Sequence, residues 1–526
     1  MVGRRWIRAA ALAVAVAVLG AGALPTVPAI ATVPAAGAAP TRPNLVVIQL
    51  DDLDEVVMPY WDALPRTRAL LRDRGRVFDN FFSTSPVSGP ARTAVLSGKY
   101  GHNNGVLTNH GDWGGYPAWV AKGNGPKHFG KYLQDAGYRT MQAGKYVVLY
   151  EPGQDGVPPG WTEWYGAGGF EIYEGYGYLM NENGVVKRYT DAPGDYLTDV
   201  IRRKAEGFID RSEATDSKPF MMFLNPTAPH VPLPPAPRHA DHAWKSASVP
   251  QRPNFYEPDI SDKPGWLTLS LPNRDAWRDT LDADYQDRMG SLLAVDEMVY
   301  GVMTKLAQRG ELANTYIVFT SDHGYNLGAH HLYGKNVPYE EASHTPLVIW
   351  GPGVVAGQER HLAIQPDLLP TLLDLAGVPI PSDIDGRSLT PLLAAQDPPD
   401  WRDAFLLQYK TDIMEWDTKD PRTVAIYWNF PNYRAVRSDR YLLVEWWEDW
   451  EWNGVHDYEL YDLATDPYQL ENLVATDAGK AQHFWVGISL LVKLRNLGEC
   501  SGASCNVAPS APYAGSNPVP IPRGGV

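Results

Sequence analysis

The chain has 526 residues, of which 44% are hydrophobic and 20% are charged. This length and balance predict one large α/β domain with a smaller second domain, and they exclude a disordered polyelectrolyte. The 61 acidic and 46 basic residues give a net charge of −15. Nucleic acid is therefore not expected as a partner, because this charge repels a polyanion.

Residues 1–39 have the pattern of an export signal peptide. Arg4, Arg5 and Arg8 form a positive start, and the apolar run 9–24 is followed by small residues that suit cleavage. The Arg4-Arg5 pair also resembles a twin-arginine signal, which exports folded proteins. Removal of this segment takes away three arginines and no acid, so the net charge falls from −15 to −18. We expect a secreted or extracytoplasmic protein, and no later apolar run is long enough to span a bilayer.

Apolar runs alternate with helical patterns along residues 40–395, which predicts a large, mostly parallel central sheet with helices on both faces. The predicted strands, in chain order, are 44–50, 77–82, 138–143, 219–224, 315–320 and 346–350. The predicted helices are 61–74, 91–96, 129–136, 285–309 and 365–376. Residues 150–195 are interpreted as long surface excursions, and the Pro-rich residues 231–275 as an irregular lid or rim.

The pattern changes near residue 395, where short aromatic strands separated by turns replace the strand–helix alternation. The predicted strands are 405–408, 433–436, 441–445 and 459–462, and they indicate a smaller antiparallel domain over residues 396–505. Residues 506–526 contain several Pro and Gly and are expected to form a disordered tail. The two cysteines, Cys500 and Cys505, favour a small local disulfide in an exported protein, with two free thiols as the alternative.

Polar side chains follow several of the predicted strands. Asp51 and Asp52 come directly after the first strand, in the stretch Asp51-Asp52-Leu53-Asp54, and Asp322 and His323 follow the strand 315–320. Three basic side chains lie at or after other strands, namely Lys145, His230 and Lys335. Because ligands of open α/β sheets gather beyond the carboxyl ends of the strands, we expect these groups to converge. Carboxylates with an imidazole at one point suit a hard divalent cation such as Ca²⁺ or Mg²⁺, although a solvated turn explains the acids equally well.

A helix is predicted to begin near Ser88, with Pro90 in its first turn, and to end at Ser97-Gly98. The helix N-terminus favours an anion, and Arg92 adds a fixed charge one turn further on. Taken alone, a capped helix with a surface arginine explains this stretch. Combined with the cation site and the basic side chains, a nucleophilic oxygen on Ser88 suits hydrolysis of a sulfate or phosphate ester, whose negative charge must be stabilised in the transition state.

The chain resembles the type I sulfatases, which share the alkaline-phosphatase-like fold. Ser88-Gly89-Pro90-Ala91-Arg92 followed by Leu96-Ser97-Gly98 is similar to the sulfatase signature, in which a Cys or Ser is oxidised to formylglycine, also called 3-oxoalanine. The resemblance continues through Asp385-Gly386-Arg387-Ser388-Leu389 and Glu459-Leu460-Tyr461-Asp462-Leu463. Within the family the pattern is most similar to the N-acetylglucosamine-6-sulfatases, on the stretches Gly98-Lys99-Tyr100, Gly144-Lys145-Tyr146, Gly160-Trp161, Asp195-Tyr196-Leu197-Thr198-Asp199-Val200 and Cys500-Ser501-Gly502 with Cys505.

The resemblance implies a role for each member of the constellation. One Ca²⁺ per chain would be bound by Asp51, Asp52, Ser88, Asp322 and His323. A maturation enzyme would oxidise Ser88 to formylglycine, whose hydrate attacks sulfur, and Arg92 would stabilise that hydrate. The sulfate would be held by Lys145, His230 and Lys335, and either His230 or Lys335 would protonate the leaving oxygen.

Two positions depart from the family pattern. Members often carry a His two residues after the Lys of the Gly-Lys motif, as the base that regenerates the aldehyde, and here Val147 stands at that place. Val148 follows where the glucosamine-6-sulfatase pattern tends to have Asn. Because of Val147, the resemblance does not identify the base that acts in this chain. The second departure is Ser88, which replaces the commoner Cys, and Ser-type signatures are oxidised by a radical enzyme.

Three hypotheses follow from these residues. The first is an exported, Ca²⁺-dependent sulfatase acting on a 6-O-sulfated amino sugar or a related glycan. The second is a phosphoesterase of the same superfamily that uses unmodified Ser88 as its nucleophile. The third is a sulfoglycan-binding protein that keeps the metal and basic residues but turns over weakly or not at all.

The net charge also bears on the substrate. A mature charge near −18 disfavours a long polysulfated chain and favours a pocket for one terminal sulfated residue or a small sulfate ester. Four tryptophans are interpreted either as a wall of that pocket or as core packing, namely Trp446, Trp447, Trp450 and Trp452.

Overall fold

The first predicted strand lies at the centre of the fold. Strand β1 (Asn44–Leu50) is buried along its whole length and pairs in parallel with a strand on each side. A continuous apolar run is typical of a parallel strand that is covered on both faces. The computed structural model describes residues 42–57, 59–214, 218–269, 274–411, 431–447 and 455–506, so the predicted export signal and residues 507–526 of the predicted tail lie outside the described residues.

Eighteen strands are present in the described residues. In chain order they are β1 (Asn44–Leu50), β2 (Arg76–Phe78), β3 (Phe81–Phe82), β4 (Arg139–Lys145), β5 (Glu163–Gly168), β6 (Leu179–Glu182), β7 (Val185–Arg188), β8 (Phe220–Asn225), β9 (Thr315–Ser321), β10 (Asn326–Leu327), β11 (Tyr333–Gly334), β12 (Leu347–Trp350), β13 (Gly357–Glu359), β14 (Ala363–Ile364), β15 (Ala404–Tyr409), β16 (Asn432–Ser438), β17 (Tyr441–Trp447) and β18 (Val455–Asp462).

Ten of these strands form one large sheet, in the order β13-β2-β12-β9-β1-β8-β4-β5-β6-β7. The five central strands β9, β1, β8, β4 and β5 all run parallel, so their carboxyl ends meet at one edge. β12 is antiparallel to both of its neighbours, and β6 and β7 extend the sheet as an antiparallel pair. The prediction of a large, mostly parallel sheet is confirmed for its centre.

Helices cover both faces of this sheet. The helices of six or more residues in the described part are α1 (Ser88–Ser97), α2 (Gly115–Ala121), α3 (Phe129–Asp135), α4 (Leu197–Glu213), α5 (Arg274–Arg309), α6 (Leu368–Leu375), α7 (Asp477–Gln482) and α8 (Phe484–Gly498). Two separate apolar cores lie on the two sides of β1. Val46, Ile48 and Leu50 point into the first, and Leu45 and Val47 point into the second.

The predicted helix 61–74 is confirmed only in part. The segment forms a short helical turn, Tyr60–Asp62, and then two contiguous helical pieces, Pro65–Thr67 and Arg68–Arg72. Pro65 interrupts the apolar periodicity, and the residue before a proline is pushed out of the helical region, as Leu64 is with φ −120° and ψ 48°.

Residues 150–195 also differ from the prediction. They contribute β5, β6 and β7 to the edge of the large sheet rather than forming only surface excursions. All four residues of β7 are exposed, as expected for the outermost strand of a sheet. The strands are short and are separated by turns at glycines such as Gly169, Gly177 and Gly184, so the sequence shows no continuous apolar run.

A second sheet of four antiparallel strands, β15-β16-β17-β18, forms the C-terminal part, as predicted. Its core includes Trp446 together with Phe82 and Tyr100 from the earlier part of the chain. Trp446 and Trp447 are buried, so the packing interpretation holds for both, whereas Trp450 and Trp452 lie outside the described residues.

A buried polar contact also joins the C-terminal part to the segment that precedes β12. Arg437 Nε on β16 donates a hydrogen bond of 2.8 Å to Glu340 Oε1, and both side chains are buried. Cys500 and Cys505 form the expected disulfide. Among the helices that the structure describes, none has both the length and the apolarity to cross a membrane.

Candidate active site

Ser88 is the first residue of helix α1, two residues before Pro90. Val87 precedes it in an extended conformation, and Gly98 ends the helix with φ +67°, a left-handed conformation that glycine adopts without steric cost. Ser88 and Arg92 lie one turn apart and are both buried. The next backbone amide, that of Gly89, donates a hydrogen bond of 2.7 Å to Asn109 Oδ1, which fixes the first turn.

The parallel strands bring the predicted polar groups to the same edge of the sheet. Asp51 and Asp52 follow β1, Asp322 and His323 follow its neighbour β9, and Lys145 is the last residue of β4. His230 and Lys335 reach the same point from loops, because each contacts Asp52. All nine predicted site residues are therefore brought together.

The acidic cluster, defined as Asp51, Asp52, Asp322 and His323, can supply four ligand atoms that all lie within 4.8 Å of one another. All four side chains are fully buried, and among the described residues two of their carboxylate oxygens, Asp51 Oδ1 and Asp52 Oδ2, have no hydrogen-bond partner. Buried carboxylate oxygens without partners are costly unless a cation neutralises them. An oxygen-rich donor set of this kind fits Ca²⁺.

The backbone of Asp52 supports this role. Asp52 has φ +68°, a left-handed conformation that is unusual for a residue other than glycine. Its amide donates a hydrogen bond of 3.1 Å to Asp322 Oδ1, and its carbonyl accepts one of 2.6 Å from Arg288 Nη2. These contacts aim the Asp52 carboxylate into the acidic cluster. Asp54, in contrast, accepts hydrogen bonds from the backbone amides of Val56 and Val57 and lies outside the cluster.

The basic group, defined as Arg92, Lys145, His230 and Lys335, surrounds the acidic cluster. Lys145 Nζ lies 2.6 Å from Asp51 Oδ2, and Arg92 Nε lies 3.0 Å from Asp322 Oδ2. Lys335 Nζ lies 2.6 Å from Asp52 Oδ1, and His230 Nε2 lies 3.5 Å from Asp52 Oδ2. Each basic side chain thus contacts a member of the acidic cluster, so that the buried negative charges are paired with positive ones.

Ser88 lies between the two sets. Its Oγ is 3.0 Å from His323 Nε2 of the acidic cluster and 3.2 Å from Lys145 Nζ of the basic group. This oxygen can therefore contact a bound cation on one side and an anionic substrate on the other.

The electrostatics keep the carboxylates ionised. Burial alone would raise the pKa of Asp52, but His230, Lys335 and His323 outweigh burial and lower this pKa to about 2. The pKa values of Asp51 and Asp322 are also lowered, against the effect of burial, by neighbouring cations. Burial lowers the pKa of His230 to about 4, so that its ring is neutral at pH 7.

Several polar residues near the site were not predicted from the sequence. Asn225 ends β8 and its Oδ1 lies 3.4 Å from Arg92 Nη1, while Gln365 Nε2 donates a hydrogen bond to the backbone carbonyl of Asp322. Arg288 is buried inside helix α5 and contacts the Asp52 carbonyl. Asn225 directly follows a predicted strand, and this position could have identified it as a site residue. Arg288 lies within a predicted helix, where nothing in the sequence distinguishes it from a surface residue.

The position of Val147 is also defined. Val147 is buried in the second apolar core beside Tyr146 and supplies no acid–base group. In the part of the chain that the structure describes, Ser88 Oγ contacts the side chains of His323 and Lys145.

Comparison with known proteins gives a consistent result. The family model described as Sulfatase matches residues 43–378, and the model described as N-sulphoglucosamine sulphohydrolase, C-terminal, matches residues 328–485. The extracellular sulfatase SULF-1 homolog of Drosophila melanogaster is 36% identical over 374 residues, which cover 70% of this chain and 33% of that protein. The chain therefore spans about a third of that relative's length.

Two further relatives match over most of both chains. The N-acetylglucosamine-6-sulfatase of Capra hircus is 30% identical over 496 residues, which cover 88% of this chain and 85% of that protein. A solved structure of a protein in complex with its substrate, D-glucosamine-2-N,6-O-disulfate, superposes with a TM-score of 0.68 and 26% identity, covering 86% of this chain and 97% of that chain.

Proposed function

Because the chain belongs to the sulfatase family, we propose that it hydrolyses the 6-O-sulfate ester of an N-acetylglucosamine-like residue in a sulfated carbohydrate. The observation that carries the proposal is the position of Ser88, whose Oγ lies between the acidic cluster and the basic group, 3.0 Å from His323 Nε2 and 3.2 Å from Lys145 Nζ. A nucleophile between a cation site and a cationic pocket suits attack on an anionic ester.

Ser88 is the residue that we expect to be oxidised to formylglycine. The oxidation removes two protons and two electrons, which together are two hydrogen atoms, from the Ser88 side chain, and a maturation enzyme of the radical type takes up the electrons. The hydrated aldehyde supplies a nucleophilic hydroxyl and a second hydroxyl whose loss of a proton expels sulfate, an exit that a plain serine ester lacks. Arg92, fixed by Asp322 at 3.0 Å, is positioned to stabilise the modified side chain.

The acidic cluster, with the oxygen on Ser88, would hold one Ca²⁺. The ion would supply Lewis-acid stabilisation of negative charge at this place. Lys145 and His230 would bind the sulfate oxygens. Since His230 is neutral at pH 7, we assign protonation of the leaving oxygen to the ammonium group of Lys335.

The substrate assignment is supported by the relatives. One is named N-acetylglucosamine-6-sulfatase, and the structural neighbour contains a 6-O-sulfated glucosamine. The net charge of −15 favours a single terminal sulfated residue over a long polysulfated chain. We also propose that the protein is exported, since residues 1–39 have the pattern of a signal peptide and a relative is named an extracellular sulfatase.

One observation favours weak turnover as a second candidate. Val147 occupies the place where the family often has a histidine base, and Val147 is buried and apolar. A protein that binds sulfated sugars with little turnover would keep the basic group intact and lack this base.

The test begins with the mass of the peptide that contains Ser88, isolated from protein made in a host with a radical maturation enzyme. We expect the loss of two hydrogens and turnover of 6-O-sulfated N-acetylglucosamine, with Ser88→Ala abolishing turnover but retaining Ca²⁺ binding. An unmodified serine with turnover of phosphate esters would assign the phosphoesterase instead. Binding of the sulfated sugar without turnover of either ester would assign the weak binder.

A further inference from the structure

Tyr173 reaches the site from a segment that the sequence does not connect with it. It is the last residue of a short 3₁₀ helix, Phe170–Tyr173, in the connection between β5 and β6. The helix follows Gly169, whose φ of +83° turns the chain back toward the sheet. Thr227 Oγ1 donates a hydrogen bond of 3.0 Å to the carbonyl of Ile172, and the Ile172 side chain is buried in the first core. The segment that carries Tyr173 is therefore held in place.

The ring of Tyr173 lies against two members of the basic group. Its centroid is 4.3 Å from that of the His230 ring, with 30° between the ring planes. Lys145 Nζ lies 5.1 Å from the centroid of the same ring. A cation at this distance from an aromatic face is stabilised by the ring quadrupole. Tyr173 is thus a partly exposed wall beside the two side chains that would hold the sulfate.

The hydroxyl of Tyr173 is in the field of the same charges. Asp51, Asp52, Lys335 and Arg92 all act electrostatically on it. Burial and the nearby Asp51 carboxylate raise the pKa of Tyr173, so the hydroxyl keeps its proton and can donate it in a hydrogen bond. A neutral donor beside an anion-binding pocket adds a hydrogen bond to an anion without adding charge.

We propose that Tyr173 is a substrate-binding residue of this site, whose ring forms one wall of the sulfate pocket and whose hydroxyl donates a hydrogen bond to a sulfate oxygen of the bound ester. This inference rests on the proposed sulfatase function and deepens it, because it adds a recognition group from outside the predicted constellation. The hydroxyl acts on the sulfate group itself, so its effect is the same for sugar and aryl sulfates.

The test compares Tyr173→Phe with the wild-type enzyme after maturation. Phenylalanine keeps the ring on His230 and removes only the hydroxyl. We expect KM for both a sugar sulfate and an aryl sulfate, and the inhibition constant of inorganic sulfate, to rise together by roughly 10- to 100-fold, since a hydrogen bond to a charged group is lost. The change in kcat should be smaller than the change in KM.

Tyr178→Phe is the matched control. Tyr178 lies in the same connection, and its hydroxyl donates a hydrogen bond of 3.0 Å to the carbonyl of Asp195, away from the site. This variant should keep the wild-type KM and sulfate inhibition even if its melting temperature falls.

The outcomes distinguish failure of the Tyr173 assignment from failure of the proposed sulfatase function. If the wild-type enzyme hydrolyses sulfate esters and Tyr173→Phe binds sulfate equally well, the Tyr173 assignment is overturned and the sulfatase function stands. If the wild-type enzyme neither hydrolyses sulfate esters nor binds inorganic sulfate, the proposed function is overturned and the assignment falls with it. A loss of activity in Tyr173→Ala alone, with Tyr173→Phe unchanged, would show that the ring acts through its packing on His230, and it would overturn the hydrogen bond that the proposal requires of the hydroxyl.

Discussion

The guanidinium group of Arg288 donates a hydrogen bond of 2.6 Å from Nη2 to the backbone carbonyl of Asp52, at the residue whose left-handed backbone aims a carboxylate into the acidic cluster. Arg288 also donates to the carbonyl of Pro229 at 3.2 Å, one residue before His230. One buried side chain on helix α5 thus holds the two loops that follow β1 and β8. Through these contacts Arg288 supports the position of Asp52 in the acidic cluster and of His230 in the basic group.

Arg288→Ala is therefore expected to weaken both folding and metal binding. Arg288 Nη2 also lies 3.8 Å from Oδ2 of the buried Asp54. Loss of one partner of a buried ion pair costs about 3–5 kcal/mol of unfolding free energy, and residues that orient metal ligands typically contribute about 10- to 100-fold in affinity. Urea unfolding and calorimetric titration with Ca²⁺ measure the two effects. Arg278→Ala on the same helix is the control, because its contact with Asp282 at 3.5 Å is near the surface and is worth less than about 1 kcal/mol. Equal Ca²⁺ affinity in Arg288→Ala and wild type would contradict this role.

Ca²⁺ itself should stabilise the fold. Three buried carboxylates meet in the acidic cluster, so Ca²⁺ at a hundred times its Kd is expected to raise the unfolding free energy by about 2.7 kcal/mol, and a chelator should remove this increment. Asp322→Asn takes one charge out of the cluster and should reduce the increment. Asp210→Asn, which removes a surface carboxylate paired with Arg309, should leave it unchanged. An Asp322→Asn protein that responds fully to Ca²⁺ would rule out this site.

The pair of Glu340 and Arg437 should make stability depend on acid pH. Burial alone would raise the pKa of Glu340, but Arg437 and His344 outweigh it and lower this pKa from 4.5 to about 2. A carboxyl group whose pKa is lower in the folded state stabilises the fold above its unfolded pKa, and this contribution is lost as the pH falls from 4.5 to about 2. The loss amounts to about 3 kcal/mol over that range.

Glu340→Gln provides the comparison for this pH effect. Urea midpoints of the two proteins, measured between neutral pH and the acid limit, should converge as the pH falls, because glutamine carries no charge to lose. Parallel pH profiles for wild type and Glu340→Gln would show that another carboxyl group is responsible.

Lys335 should matter most for substrates with poor leaving groups. If its ammonium group protonates the leaving oxygen, Lys335→Gln should lower kcat/KM on the sugar sulfate by about 10²- to 10⁴-fold. The loss on an aryl sulfate with an acidic phenol should be much smaller, because that phenolate leaves without a proton. Equal losses on both substrates would assign Lys335 to sulfate binding alone. His230→Gln is tested alongside, because a loss confined to the sugar sulfate in that variant would assign the acid to His230.

The sequence was most informative where the chemistry follows directly from a buried strand. The apolar run of β1 predicts a parallel central strand, and the acids after it, at Asp51 and Asp52, lie at the edge where the strands end. Ser88 and Gly98 were likewise recognisable as the ends of one helix, although the helix begins at Ser88 itself. These features depend on neighbours in the chain, so local patterns suffice to predict them.

The tertiary structure alone decided the features that join distant parts of the chain. Arg288 looks like any polar residue of a helix, and Tyr173 like any aromatic residue of a Gly-rich segment, until helix α5 and the β5–β6 connection are folded against Asp52 and His230. The strands β5–β7 are likewise recognised only through their partners in the sheet. By itself the sequence determined the central strands and the residues at their ends, because a strand that is buried on both faces needs a continuous run of apolar residues. It left open which further side chains complete the site, because that depends on packing between segments far apart in the chain.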